Sequence, residues 1–204
     1  MKANLTPDLG GANEANGLNE ITEKFASAEN AKVQETMEDE VDHIVTAWEE
    51  QRPDFDARPL AVFSRLLRLG RYVEQIRRVT FAAYKLETWE FEMLAALRRA
   101  GKPHQRTAGQ LMAETLVTSG TITNRIDQME KHGYVKRNRD EKDRRVVYVK
   151  ATRKGIKAVD NAMQALLEVQ REFLENFSQE AEIQLRAGIK QLLEVAERHE
   201  NAKK

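Results

Sequence analysis

Apolar residues recur at helical spacing along most of the chain, and only one stretch breaks into alternation. Ile21, Phe25 and Ala28, then Val33, Met37, Val41, Ile44, Val45 and Trp48, predict one long or two consecutive amphipathic helices, acidic on the outside. Pro53 and Pro59 bracket a connector. From Leu60 to Tyr84 a second helix places Phe63, Leu66, Leu67, Gly70, Val73, Ile76 and Thr80 along one face, with Arg65, Arg68, Arg71, Arg77 and Arg78 largely off it. Thr88 is the expected cap of a shorter helix, Trp89 to Arg99, ended by Gly101 and Pro103, in which Trp89 and Phe91 read as packing residues. Thr107 to Gln110 has the T-x-x-Q form of a capping box, so Thr107 to Glu114 is expected to be a short helix. Ile122, Ile126 and Met129 then fall at i, i+4 and i+7 and give a helix with a narrow apolar stripe. Thr118 and Ser119 can cap its start, and Gly133 stands where the chain must leave it. Tyr134 to Arg139 and Arg145 to Lys150 alternate as two strands joined by a charged tip. Beyond them Thr152 caps a long helix with Ile156, Val159, Met163, Leu166, Leu167, Phe173, Leu174 and Phe177 on one side. Ser178 caps a last one, to about His199, with Ile183, Ile189, Leu192, Leu193 and Ala196.

Two short helices in tandem, the second polar on one side, make a helix-turn-helix, and the hairpin after them makes it winged. The chain therefore reads as mainly α. Residues 1–19 lack periodicity and are expected to be disordered. Residues 20–84 form N-terminal helices, 85–151 a winged helix-turn-helix with a two- or three-stranded wing sheet, and 152–204 C-terminal helices. The terminal helices carry more apolar stripe than one small winged domain can cover, and such stripes are costly to leave in water. A helical dimerisation frame built from both chain ends, in a homodimer, is the expected solution.

Charge changes this picture most. The whole chain balances 33 basic against 33 acidic residues, but Arg98 to Lys154 holds 15 Lys/Arg against 6 Asp/Glu, leaving 18 against 27 elsewhere. The local field, not the overall balance, governs what binds there. There is no cysteine, hence no disulfide, and the four histidines share no spacing that would suggest a metal site. No apolar run is long enough for a membrane span and no secretory signal is evident, so a cytoplasmic protein is the plain expectation. No nucleophile elbow, zinc-protease helix or phosphate loop occurs; the sequence suggests neither an enzyme nor a cofactor.

A helix presenting Ser119, Thr121, Thr123, Asn124 and Arg125, followed by a basic hairpin with Arg139, Arg144 and Arg145, suits double-stranded DNA. The helix would lie in the major groove while hairpin arginines reach phosphates or the adjacent minor groove. The order of elements, with Val117-Thr118-Ser119-Gly120-Thr121, Asn124-Arg125-Ile126 and Asp140-Glu141-Lys142-Asp143-Arg144-Arg145, resembles the MarR family of winged-helix transcriptional regulators. The last motif matches that family's wing signature D-x-x-D-R-R, and the likeness runs from about Glu38 to Glu197. The resemblance implies a symmetric dimer on a pseudo-palindromic site, usually repressing transcription and often released by small phenolic or aromatic acids. It implies base contacts from the residues of the polar helix, minor-groove entry by Arg144 and Arg139, and a bracing role for Asp143.

A narrower resemblance, to the urate-responsive subgroup with its additional N-terminal helix, implies a ligand set of Trp48, Glu92, Arg99 and Arg137. Glu92 and Arg99 stand seven residues apart on one helix face. The subgroup has aspartate where this chain has Glu92. Trp48 reads equally as a core or interface aromatic, and Glu92 and Arg99 as solvated charges. Two other readings stay open: a DNA silencer or architectural regulator that answers to no metabolite, and a winged-helix adaptor whose basic face docks an acidic protein.

Overall fold

The computed structural model describes residues 38–115, 118–140, 143 and 145–202. The expectation of disorder over residues 1–19, and the first part of the N-terminal helix reading, lie outside them. Described elements run α1 (Glu40–Gln51), α2 (Arg58–Ala83), α3 (Thr88–Arg99), β1 (Gln105–Thr107), α4 (Ala108–Thr115), α5 (Ser119–Lys131), β2 (Val135–Arg139), β3 (Val147–Ala151), α6 (Arg153–Leu174) and α7 (Gln179–Asn201). The fold is mainly α with one small sheet, a winged helix-turn-helix. No helix among the described residues is long and apolar enough to cross a membrane. The chain divides into two compact units, up to Met163 and from Gln164 onward.

In the first unit α3 sits at the centre. Phe91, Met93, Leu94, Ala95, Ala96 and Leu97 are all buried, so nearly its whole circumference is covered. Phe91 stacks on Phe81 of α2 at 3.9 Å between ring centroids. Leu111 of α4, Ile122, Ile126 and Met129 of α5, Val149 of β3 and Val159 of α6 complete the core. The sheet order is β1-β3-β2, antiparallel throughout, with Gln105 opposite Lys150 and Val135 opposite Ala151. Val135, Val149 and Ala151 face inward, as alternation requires.

The helix ends show which capping signals the chain uses. Asp39 caps α1, accepting from the Val41 and Asp42 amides at 2.7 and 3.0 Å, and Asp42 bonds back to the Asp39 amide at 2.9 Å. Helix α2 begins two residues earlier than its apolar pattern suggests, with Pro59 in its first turn, where a missing amide hydrogen costs nothing. Thr88 is the first residue of α3 and not its cap; Glu87 takes that position because Glu90 reaches back to the Glu87 amide at 3.0 Å. The T-x-x-Q box holds: Thr107 Oγ1 accepts from the Gln110 amide at 3.2 Å and Gln110 Oε1 from the Thr107 amide at 2.9 Å. Thr107 itself ends β1, so α4 starts one residue later. Thr118 is the cap residue of α5, but its hydroxyl meets Thr121 Oγ1 at 3.0 Å instead of a backbone amide. Thr152 Oγ1 accepts from the Gly155 amide at 3.1 Å and lies 2.8 Å from the Gly133 carbonyl, fastening the start of α6 to the turn after α5.

In the second unit Ser178 caps α7 by accepting from the Ala181 amide at 3.2 Å. Helix α7 buries none of its residues, and Ile183, Ile189 and Leu193 stand exposed along it.

Candidate nucleic-acid interface

Helix α5 divides by face. Ile122, Ile126 and Met129 are buried, while Ser119, Thr121, Thr123 and Asn124 are exposed. Burial of that apolar stripe fixes the helix's rotation, so the polar face is set by packing and not by the polar residues themselves. Thr123 Oγ1 returns to the Ser119 carbonyl at 3.5 Å, and Gln128 Nε2 donates to Asn124 Oδ1 at 3.4 Å. Both are long bonds that a better partner can replace.

Arg125 is half-buried. Its guanidinium carbon lies 5.3 Å from the ring centroid of Trp89, the second residue of α3. Beside it Glu90, only 2% exposed, meets His132 Nδ1 at the C-terminal end of α5, 2.7 Å away. Lys154 Nζ donates to the His132 carbonyl at 2.6 Å, satisfying a terminal carbonyl with a cation as the helix dipole favours. Tyr134 packs edge-on to His132; burial, helped by the Glu90 carboxylate, pushes its phenol above the ordinary value.

The wing starts from a clamp on α5. Arg137 pairs with Asp127 at 2.5 Å and with Glu130, and its amide donates to Glu130 Oε1 at 2.8 Å. Burial opposes the guanidinium's charge, and the two carboxylates outweigh it. Arg139 is exposed at the end of β2, opposite Val147. The hairpin turns later than its residue pattern suggests: β3 begins at Val147, because Val146 donates to the Asp143 carbonyl at 2.9 Å and so belongs to the turn. Asp143 Oδ1 accepts from the amide and Nε of Arg145 at 3.0 and 3.3 Å, yet the Arg145 side chain is 93% exposed. Arg144 lies outside the described residues.

The four residues of the expected ligand set are not gathered in one place. Glu92 and Arg99 share a cleft of about 270 Å³ with Arg77, Phe91, Ala95, Glu114 and Thr115. Arg77 Nη2 donates to Glu92 Oε1 at 2.9 Å. Trp48 does not line that cleft; it is 46% exposed on α1 and stacks on Phe55 at 6.0 Å, with Arg52 over the Phe55 ring. Arg137 is engaged in the clamp described above. Sequence reasoning missed Arg77, Trp89, Glu90 and His132. Only Glu90 left a local signal, as an acidic residue three places after a possible cap.

The model of the MarR family matches residues 84–146, which spans α3 through the wing turn. The HTH-type transcriptional regulator PecS of Dickeya dadantii is 34% identical over 148 residues, covering 72% of this chain and 89% of that protein. The HTH-type transcriptional repressor YetL of Bacillus subtilis is 25% identical over 136 residues, covering 67% and 81%. Among solved structures, a MarR family protein from Bacillus stearothermophilus aligns with a TM-score of 0.60 at 25% identity, covering 70% of this chain and 98% of that one. A mutant MarR from E. coli complexed with operator DNA aligns with a TM-score of 0.54 at 20% identity, covering 72% and 97%, and shares the fold.

Proposed function

The chain belongs to the MarR family of winged-helix transcriptional regulators, and from that premise we propose that it is a homodimeric, DNA-binding repressor released by a small anionic aromatic ligand. One observation carries the DNA reading. Helix α5 spends its apolar stripe on the core and turns Ser119, Thr121, Thr123, Asn124 and Arg125 away from it; among the described residues the side-chain bonds of Thr123 and Asn124 are long, at 3.5 and 3.4 Å, and Thr121 meets only the neighbouring Thr118 hydroxyl. Such a face is costly to leave dry, and in a major groove it meets base edges that complement it: asparagine with adenine, arginine with guanine. Arg139, Arg144 and Arg145 add backbone and minor-groove contacts from the wing, with Asp143 steadying the turn. The exposed apolar run Ile183, Ile189 and Leu193 on α7 supports pairing with a second copy, which would present two reading helices about one helical turn apart.

For the ligand, Arg77 and Arg99 supply two guanidinium groups to one cleft, and Glu92 is the acidic residue a bound anion would disturb. An anion entering there would compete with Glu92 for Arg77. On this reading helix α1 is the additional N-terminal helix of the urate-responsive subgroup, while Trp48 and Arg137, the other two expected ligand residues, lie outside this cleft. Urate or a related purine is the leading candidate. Release requires the ligand to bind more tightly to an arrangement of the heads that does not fit the operator.

The test is a binding titration on the tightest duplex selected from a random library, against unselected duplex, across salt and then with urate or aromatic carboxylates added. We expect affinity to fall steeply with salt, as phosphate neutralisation requires, and urate to raise the protein concentration needed. A monomer that ignores duplex even in dilute salt overturns the DNA reading. Indifference to every ligand in the panel overturns the ligand reading alone.

A further inference from the structure

We propose that Trp89 is a positioning residue for sequence readout: its indole ring holds the Arg125 guanidinium in place so that the in-plane donors of that group are free for a base edge. The inference deepens the DNA-binding function proposed above and rests on Arg125 reading DNA.

The argument starts from what Arg125 lacks. A guanidinium carries five N–H donors in one plane and is never neutral at ordinary pH. A half-buried arginine therefore normally finds a carboxylate or carbonyl, as Arg65, Arg68, Arg77 and Arg106 do here. Arg125 has no hydrogen-bond or ion-pair partner among the described residues; its one contact of this kind is the Trp89 ring at 5.3 Å. A cation over an aromatic face is attracted through the face and leaves its edge unspent. A bidentate guanine contact uses that edge, since O6 and N7 are reached along the guanidinium plane. An arginine free in water would lose side-chain freedom on docking, whereas one already held against indole loses less.

Position in the fold separates this role from mere support. The first turn of α3 touches α5 twice, through adjacent residues. Glu90, buried and bonded both to the Glu87 amide and to His132, fixes the far end of the helix. Trp89 touches only the side chain of Arg125 among the ring contacts of the described residues. Removing the ring should therefore loosen one arginine while the helix stays where its apolar stripe and Glu90 put it.

The experiment compares wild type, Trp89→Phe, Trp89→Leu, Arg125→Ala and the Trp89→Leu/Arg125→Ala double variant on selected and unselected duplex, with thermal melting of each. Leucine keeps apolar bulk but has no π face; phenylalanine keeps the face. Arg125→Ala should weaken selected-duplex binding by about tenfold or more and unselected binding much less, and Trp89→Leu should weaken selected-duplex binding by about fivefold while unselected binding keeps its wild-type value. Trp89→Phe should retain most of the preference, and the double variant should be no weaker than Arg125→Ala alone. If the two losses multiply, or if Trp89→Leu weakens both duplexes alike or lowers the melting temperature as its main effect, Trp89 only supports the fold and the inference falls. If Arg125→Ala binds the selected duplex like wild type, the base-reading assignment of Arg125 fails, and this inference with it.

Discussion

Helices α1 and α3 are the same length, 12 residues, and are held in opposite ways. Helix α3 is fixed by burial, with six apolar side chains covered and Phe91 stacked on Phe81. Helix α1 buries Val41 alone and is tied to α2 by charges: Arg65 to Asp39 at 2.8 Å and Asp42 at 2.7 Å, and Arg68 to Glu40 at 2.6 Å. Burial of each large apolar side chain stabilises by roughly 1.5–3 kcal/mol and is not screened by salt, whereas exposed ion pairs contribute little singly and are screened. The contrast sorts the molecule by task. The part that presents the reading helix is held by burial, and the arm that carries Trp48 largely by exposed ion pairs. A regulator needs both, because a ligand can shift only an element whose alternatives lie close in energy.

The largest expected effect tests the rigid half. Leu97→Ala empties a fully buried position in the middle of the core and should lower stability by about 2–5 kcal/mol, read by denaturant unfolding. Next comes Gly155→Ala in the first turn of α6. A Cβ there would collide with the Tyr134 carbonyl oxygen and stand 3.0 Å from Leu94 Cδ2, and backbone cannot step aside as a flexible side chain can. A loss of about 1–3 kcal/mol is expected. If either variant unfolds at the wild-type midpoint, burial is not what holds α3 in place.

What the residue pattern revealed follows the same division. Helix α5 was legible because its signals are local: Ile122, Ile126 and Met129 sit three and four residues apart, and the same spacing marks the face that ends up buried. Glu92 and Arg99 could be placed on one face of α3 for the same reason, and they do share a cleft. Strand β1 could not be read from Gln105 to Thr107, whose extended form comes from pairing with Tyr148 to Lys150 far along the chain. The choice of Glu87 over Thr88 as a cap depended on which acidic residue stood three places on. Arg77 against Glu92, Trp89 against Arg125 and Glu90 against His132 are contacts between elements, and periodicity says nothing about which faces of two helices meet. Trp48 and Arg137 show the reverse limit: each has a local partner, Phe55 in one case and Asp127 with Glu130 in the other, that no motif marks.

The smallest expected effect concerns the conditional half. Arg65→Ala removes the cation shared by Asp39 and Asp42 but leaves the core untouched, so the global unfolding midpoint should stay where it is. Amide exchange along Ile44 to Trp48 should accelerate instead, since α1 would open independently. Acid offers the same test without mutation. The hydrogen bond from Arg65 holds the Asp39 carboxyl at about 2, against an ordinary 3.8, and lowers Asp42 in the same direction. A carboxyl depressed by folding stabilises the docked form fully above its unfolded value, and that contribution is lost as pH falls through the folded one. Protection of α1 should therefore hold from neutrality to about pH 4 and decline toward pH 2. Arg65→Ala should show a weaker acid transition, because the capping amides still lower both aspartates while the guanidinium no longer does. Added salt should loosen α1 at neutral pH in wild type and leave α3 unaffected. An α1 whose protection ignores both salt and acid would mean that Val41 and its neighbours hold it as firmly as the core holds α3, and the two helices would not differ in kind.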